Sequence, residues 1–130
     1  MTEQVARLTV PASSEWIALV RTAASSIAAR LGYDIEGLED VRIAVGEIAG
    51  VLLTGVPPDG LLECEFRPGE AGLLEVSIAT GAQRAVLPAE NSLAWTVLSA
   101  IVDEATVEES EFGMSVRMRI TRSVDAHLPA

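Results

Sequence analysis

Leu38, Val41, Val45, Ile48 and Leu52 recur at helical spacing and write one apolar stripe, predicting a helix over Gly37 to Leu53. Asp34 can cap its start, and Glu36 and Glu39 suit the positive end of its macrodipole. Gly55, Pro57 and Pro58 stop it. Before it, Trp16, Leu19, Val20, Ala23, Ile27 and Leu31 mark the inward stripe of an earlier helix, capped by Ser13 or Ser14 and closed by Gly32. The short turn between the two helices makes them an antiparallel pair.

Elsewhere the period is two. Val5 to Val10 reads as a short β-branched strand ended by Pro11. Leu62, Cys64 and Phe66 alternate with Glu63, Glu65 and Arg67. After a turn at Pro68 to Gly72, Leu74, Val76 and Ile78 repeat the alternation, giving a hairpin with one buried face. Gly81 to Asn91 has no period and reads as a loop. Asn91 or Ser92 caps a third helix, with Trp95, Leu98, Ile101 and Val102 inward. Glu109 to Glu111 reads as an acidic turn. Met114, Val116, Met118 and Ile120 then alternate with Ser115, Arg117, Arg119 and Thr121 in a final strand. The order β-α-α-β-β-α-β predicts an α+β two-layer sandwich, with helices on one face of a mixed, mainly antiparallel sheet.

The chain has 130 residues, enough for one domain with a real core; residues 1–124 form it and 125–130 a frayed tail. The net charge is −10, and all nine basic residues are arginine. Such a surface repels nucleic acid and anionic membranes, and is suited to meeting a basic protein surface. There is no signal-peptide pattern, no apolar run long enough to span a bilayer, and a single cysteine, Cys64, all of which point to the cytoplasm.

Candidate chemistry is sparse. Asp40, Glu47 and Val51 share one flank of the second helix, beside its apolar stripe. Cys64 lies on a buried strand face and reads as a small core hydrophobe. The only histidine, His127, sits in the tail, which excludes a His-rich metal site and makes a Ser-His-Asp triad improbable. Arg117, Arg119 and Arg122 could bind an anion, but pairing with Glu63, Glu65 and Glu75 across the open sheet face is the more ordinary role. Gly46 and Gly50 lie one turn apart inside a helix, each costing about 1 kcal/mol against Ala. Close backbone packing would account for them, as would drift in a decayed site.

Three segments carry a resemblance: "PASSEWIALVRTAASSIAARLGYDIEGLEDVRIAVGEIAGVLL", "NSLAWTVLSAIVDEA" and "FGMSVRMRI". They resemble the RsbW-type anti-sigma factors, which double as serine-protein kinases, and sit nearer the general-stress branch than the sporulation branch. The resemblance implies the GHKL ATPase sandwich and generally a homodimer. It also implies a catalytic Glu on the second helix, matched by Glu47, with an Mg²⁺-holding Asn four residues on. Val51 stands there, and an isopropyl group cannot ligate a hard cation. The adenine-binding Asp-x-Gly after the second hairpin strand is matched by Ala79, Thr80 and Gly81, with no carboxylate. The Gly-x-Gly of the phosphate lid is matched by Ser92-Leu93-Ala94, without the glycines that let backbone N–H groups reach phosphates.

The implied function is therefore an anti-sigma factor with a degenerate ATP site, no cofactor and no metal. It would sequester a sigma factor and be released by an anti-anti-sigma antagonist. The alternatives are an active serine-protein kinase using Glu47, and a non-catalytic dimerisation or scaffold domain. The first helix, opposite its apolar stripe, reads Ala18, Arg21, Thr22, Ser25, Ala28 and Ala29, small residues around one Arg. Such a face suits a protein interface. The resemblance places Arg21 on the helix that meets sigma factor and antagonist, with Glu15 at the rim.

Overall fold

The computed structural model describes residues 4–54, 56, 59–81, 93–110 and 113–122. Its elements are β1 (Ala6–Pro11), α1 (Ser14–Arg30), α2 (Ile35–Leu52), β2 (Leu61–Pro68), β3 (Leu74–Thr80), α3 (Leu93–Ile101), β4 (Glu104–Ser110) and β5 (Gly113–Ile120). A single 3-10 turn, Glu70–Gly72, joins β2 to β3. The strands form one sheet in the order β1-β2-β3-β5-β4, and every pairing is antiparallel, so the expected mixed character is absent among the described strands.

Period-two alternation decides which sheet face is covered. Leu62, Cys64 and Phe66 of β2, Leu74, Val76 and Ile78 of β3, and Met114, Val116, Met118 and Ile120 of β5 are all buried under the helices. Val41, Val45, Ile48 and Leu52 press onto them from α2, as the stripe predicts. Asp34 caps α2 by accepting a hydrogen bond from the Gly37 amide at 2.8 Å. Ser13 is the N-cap residue of α1 but makes no side-chain cap; its hydroxyl donates to Glu15 instead. Burial raises the Cys64 thiol to a pKa of about 11, consistent with a core hydrophobe rather than a nucleophile.

Two expectations are corrected. The first concerns β4, which adds a strand between α3 and β5 where the acidic content suggests a turn. Glu104, Thr106 and Glu108 alternate with half-buried Ala105 and Val107, and β4 is an edge strand, the place where charge is favoured. The second is the phase of α1. Its inward face is Ile17, Val20, Ala24 and Ala28, while Trp16 and Leu19 are 38% and 43% exposed. Two apolar stripes lie side by side on this helix, and periodicity alone cannot rank them. Contact with α2 selects the stripe containing Ala24 and Ala28, whose small side chains permit close approach of the helices.

The α1–α2 turn is pinned from a distance. Tyr33 is buried, and its hydroxyl lies 2.7 Å from the Gly72 carbonyl and 2.9 Å from the Ile120 carbonyl, two acceptors sharing one proton. Arg122 donates from its guanidinium to the Leu31 carbonyl at 2.9 Å and from its backbone amide to Gly72 at 3.3 Å. Gly32 and Gly72 both have positive φ and leave no room for a Cβ beside the Arg122 side chain. Arg122 is thus a structural clasp and not part of an anion site. The stop signals at positions 55, 57 and 58, most of the 81–91 loop and the tail lie outside the described residues.

Candidate functional site

The helix layer presents two candidate surfaces. One is the α2 flank that carries Asp40 and Glu47, both exposed, with Val51 half-buried one turn beyond Glu47. Asp40 and Glu47 make no ion pair or hydrogen bond with any described residue. A carboxylate so placed can accept a proton or a hydrogen bond from an incoming group. It has no neighbouring oxygen at position 51 with which to hold a hard cation. Among the described residues no cluster of three or more His, Cys, Asp or Glu could hold a metal ion.

The remaining nucleotide positions do not converge on Glu47. Ala79 is on the open face of the sheet, where it lines the same hollow as Glu63 and Ser115, so the sheet lies between it and α2. Thr80 points the other way and is 5% exposed. Gly81 follows at the strand end, where Gly113 packs against the Thr80 carbonyl so closely that a Cβ there would clash. Ser92 and the Ala94 side chain lie outside the described residues, although Ala94 itself falls in the first turn of α3.

The other surface is the exposed side of α1. Glu15, Ala18, Arg21 and Thr22 are all exposed. Ser25, placed on this surface by the sequence, is corrected: it is 5% exposed and donates its hydroxyl to the Thr22 carbonyl at 3.1 Å. It sits on the α2 side of the helix, where a small hydroxyl can bond the preceding turn and vanish into the packing. Ala28 is buried for the same reason of phase.

Arg21 has a specific seat. A Cβ built on Gly46 of α2 would come within 3.0 Å of the Arg21 Cδ and 3.3 Å of Nη1, so the arginine stem lies across the bare backbone of Gly46. Close packing, one of the two explanations open for the helical glycines, therefore holds for Gly46. It fails for Gly50, which has open space within 4 Å. Sequence reasoning missed Trp16 and Leu19 as surface groups, and also Ile43 of α2, which is exposed between the two surfaces. The signal that could have found the seat was a glycine in mid-helix, read together with the arginine in the middle of the facing helix.

No family model matches the chain. The serine-protein kinase RsbW of Halalkalibacterium halodurans is 52% identical over 40 residues, covering 31% of this chain and 25% of that protein. The anti-sigma-F factor RsbW of Mycobacterium tuberculosis is 32% identical over 98 residues, covering 75% of this chain and 57% of that protein. The chain thus spans between a quarter and three-fifths of the curated relatives it matches. Among solved structures, the RsbU and RsbW domains of Rv1364c from Mycobacterium tuberculosis superpose with a TM-score of 0.74 at 17% identity, over 98% of this chain and 35% of that one. The histidine kinase domain of the Erythrobacter litoralis EL346 blue-light activated kinase gives 0.56 at 16% identity, over 87% and 62%. These structural likenesses concern the fold.

Proposed function

Because the chain is homologous to proteins named RsbW, anti-sigma factors and serine-protein kinases, and has the GHKL histidine-kinase-like fold, we propose that it is an anti-sigma regulatory factor working by stoichiometric binding. It sequesters a sigma factor, and an anti-anti-sigma protein releases that factor by competition, without ATP hydrolysis. The observation that carries the non-catalytic part is the α2 flank: Glu47 stands exposed with Val51 beside it, and Ala79 lies on the far side of the sheet. The reading includes a degenerate ATP site, which that arrangement supports, and action in the cytoplasm in a stress response. No helix among the described residues is long and apolar enough to cross a membrane, in keeping with that location. A homodimer accompanies this reading.

Binding is assigned to the exposed side of α1, with Arg21 as anchor and Glu15 and Ala18 beside it. An arginine whose stem rests against a neighbouring helix has less room to move before the partner arrives, which favours it as an anchor. The test is capture of the tagged chain's partners from the native cell, identified by mass. A sigma factor that comes down with the wild-type chain and is weakened at least tenfold by Arg21→Ala supports the reading. Recovery of no sigma factor rejects it.

A second reading, an active serine-protein kinase, is favoured by the relative of that name, 52% identical over 40 residues. Titration calorimetry with ATP and Mg²⁺ separates the two. Micromolar binding, about −8 kcal/mol, that disappears in Glu47→Ala selects the kinase.

A further inference from the structure

The helices cover one face of the sheet and leave the other bare. The register of the four pairings sorts that bare face into rows running across the strands. One row is Arg7, Glu65, Ser77, Arg117 and Thr106; the next is Arg67, Glu75, Arg119 and Glu104. Both rows mix signs and are bridged within themselves and to each other. Arg7 pairs with Glu65 at 2.9 Å, Arg119 with Glu104 at 3.6 Å, and Arg117 reaches Glu75 at 3.4 Å.

The third row is different. It reads Thr9, Glu63, Ala79, Ser115 and Glu108, with carboxylates towards both ends, small residues between them and no cation. Glu108 is met from the adjoining row by Arg117 at 3.3 Å, whereas Glu63 has no ion-pair partner among the described residues. Two hollows of about 460 and 350 Å³ meet over this row, and both are lined by Glu63, Ala79 and Ser115. The short side chains of Ala79 and Ser115 make the floor low, and the glutamates rise at its sides.

We propose that this bare sheet face is a second docking surface, and that its occupant is a basic segment of a partner protein laid along the glutamate row. It goes beyond the regulatory reading and does not depend on it, since α1 lies on the opposite side of the sheet. Charge complementarity selects the occupant. A chain of net charge −10 whose other sheet rows carry both signs presents here a row with acid and no base of its own, with Arg7 at the edge of the larger hollow and Arg117 reaching in to Glu108. A metal ion is the wrong size for the row. Glu63 and Glu108 stand three strand spacings apart, about 14 Å, too far to share one ion. Two cationic side chains about 14 Å apart match that span, which is four residues along an extended segment.

The experiment uses the full chain and two Gly/Ser heptapeptides of equal charge. One carries two arginines four positions apart; the other carries them adjacent. Binding is followed by backbone amide NMR at low and high NaCl. The expected result is tighter binding of the spaced peptide, with shifts centred on Ala79 and Ser115 and weakening as salt rises. Glu63→Gln lowers that affinity about three- to fivefold, as befits an exposed pair, and Glu36→Gln on the helix layer leaves it unchanged. Equal affinity for the two peptides, or shifts confined to α1 and α2, overturns the proposal. So does a change in sedimentation mass on Glu63→Gln, which would make a second copy the occupant. Calcium alone reproducing the peptide's shifts also overturns it, in favour of a cation.

Discussion

Gly46→Ala tests the seat of Arg21, and its magnitude can be worked from two opposing terms. Glycine in a helix interior is about 0.8–1.0 kcal/mol less favourable than alanine. The added methyl would meet the Arg21 Cδ at 3.0 Å and Nη1 at 3.3 Å, with Cγ at 3.7 Å. These atoms belong to a flexible, exposed side chain that can swing aside, forfeiting a few contacts of about 0.1–0.2 kcal/mol each. Helix propensity therefore wins by about 0.2–0.7 kcal/mol, and the melting temperature rises by about 1–3 °C for a chain of this size. The displaced guanidinium loses its orientation, so affinity for the proposed sigma-factor partner falls about three- to tenfold, less than on outright removal by Arg21→Ala. Gly50→Ala is the internal control: with open space around it, the same propensity gain arrives with no change at Arg21. Calorimetric melts and a binding titration on the three variants read both terms. A Gly46→Ala protein that melts lower than wild type, or binds its partner as tightly, refutes the reasoning.

Val45→Asp and Ile48→Asp should abolish the cooperative melt, because each buries an unpaired charge, whereas Glu47→Ala should shift it by less than about 0.5 kcal/mol. Tyr33→Phe leaves the Gly72 and Ile120 carbonyls without their shared donor and should cost about 1–3 kcal/mol in urea unfolding; no loss would mean that solvent replaces the hydroxyl. Burial pushes the Tyr33 phenol from 10.0 to about 12, aided by Asp103 and opposed by Arg122, and the Cys64 thiol from 9.0 to about 11. Both folded-state values are raised, so their contributions to stability are intact below pH 9 and are lost progressively as pH rises through 9 to 12. Tyr33 is the sole tyrosine, so tyrosinate absorbance should report its titration directly and revert to an ordinary midpoint in urea.

The sheet was legible because alternation over β2, β3 and β5 is unbroken, and one face of a strand is either apolar or it is not. The stripe of α2 was legible because only one apolar phase exists on that helix. The inward face of α1 was not, since Trp16 and Leu19 outweigh Ala24 and Ala28 in hydrophobicity, and only the neighbouring helix makes small residues the better packers. β4 was obscured by Glu104, Glu108 and Glu109, charges that suit an edge strand as well as a turn. For the candidate site, positions on one element could be read from spacing: Asp40, Glu47 and Val51 share a flank as expected. Positions on different elements could not, which is why Ala79 fell on the wrong side of the sheet and Gly46 beneath Arg21 went unseen.

β5 is the last of the described strands in sequence, yet it lies inside the sheet, between β3 and β4. While the chain is being made, β3 must wait with an unpaired edge until residues 113–120 have left the ribosome. β4 emerges first and has nothing to pair with until β5 slots in beside it. The clasp at Tyr33 closes later still, since one of its acceptors is the carbonyl of Ile120. Folding of this sheet is consequently held back until β5 has been made, and a nascent chain stalled before β5 exposes an adhesive strand edge to chaperones and to aggregation.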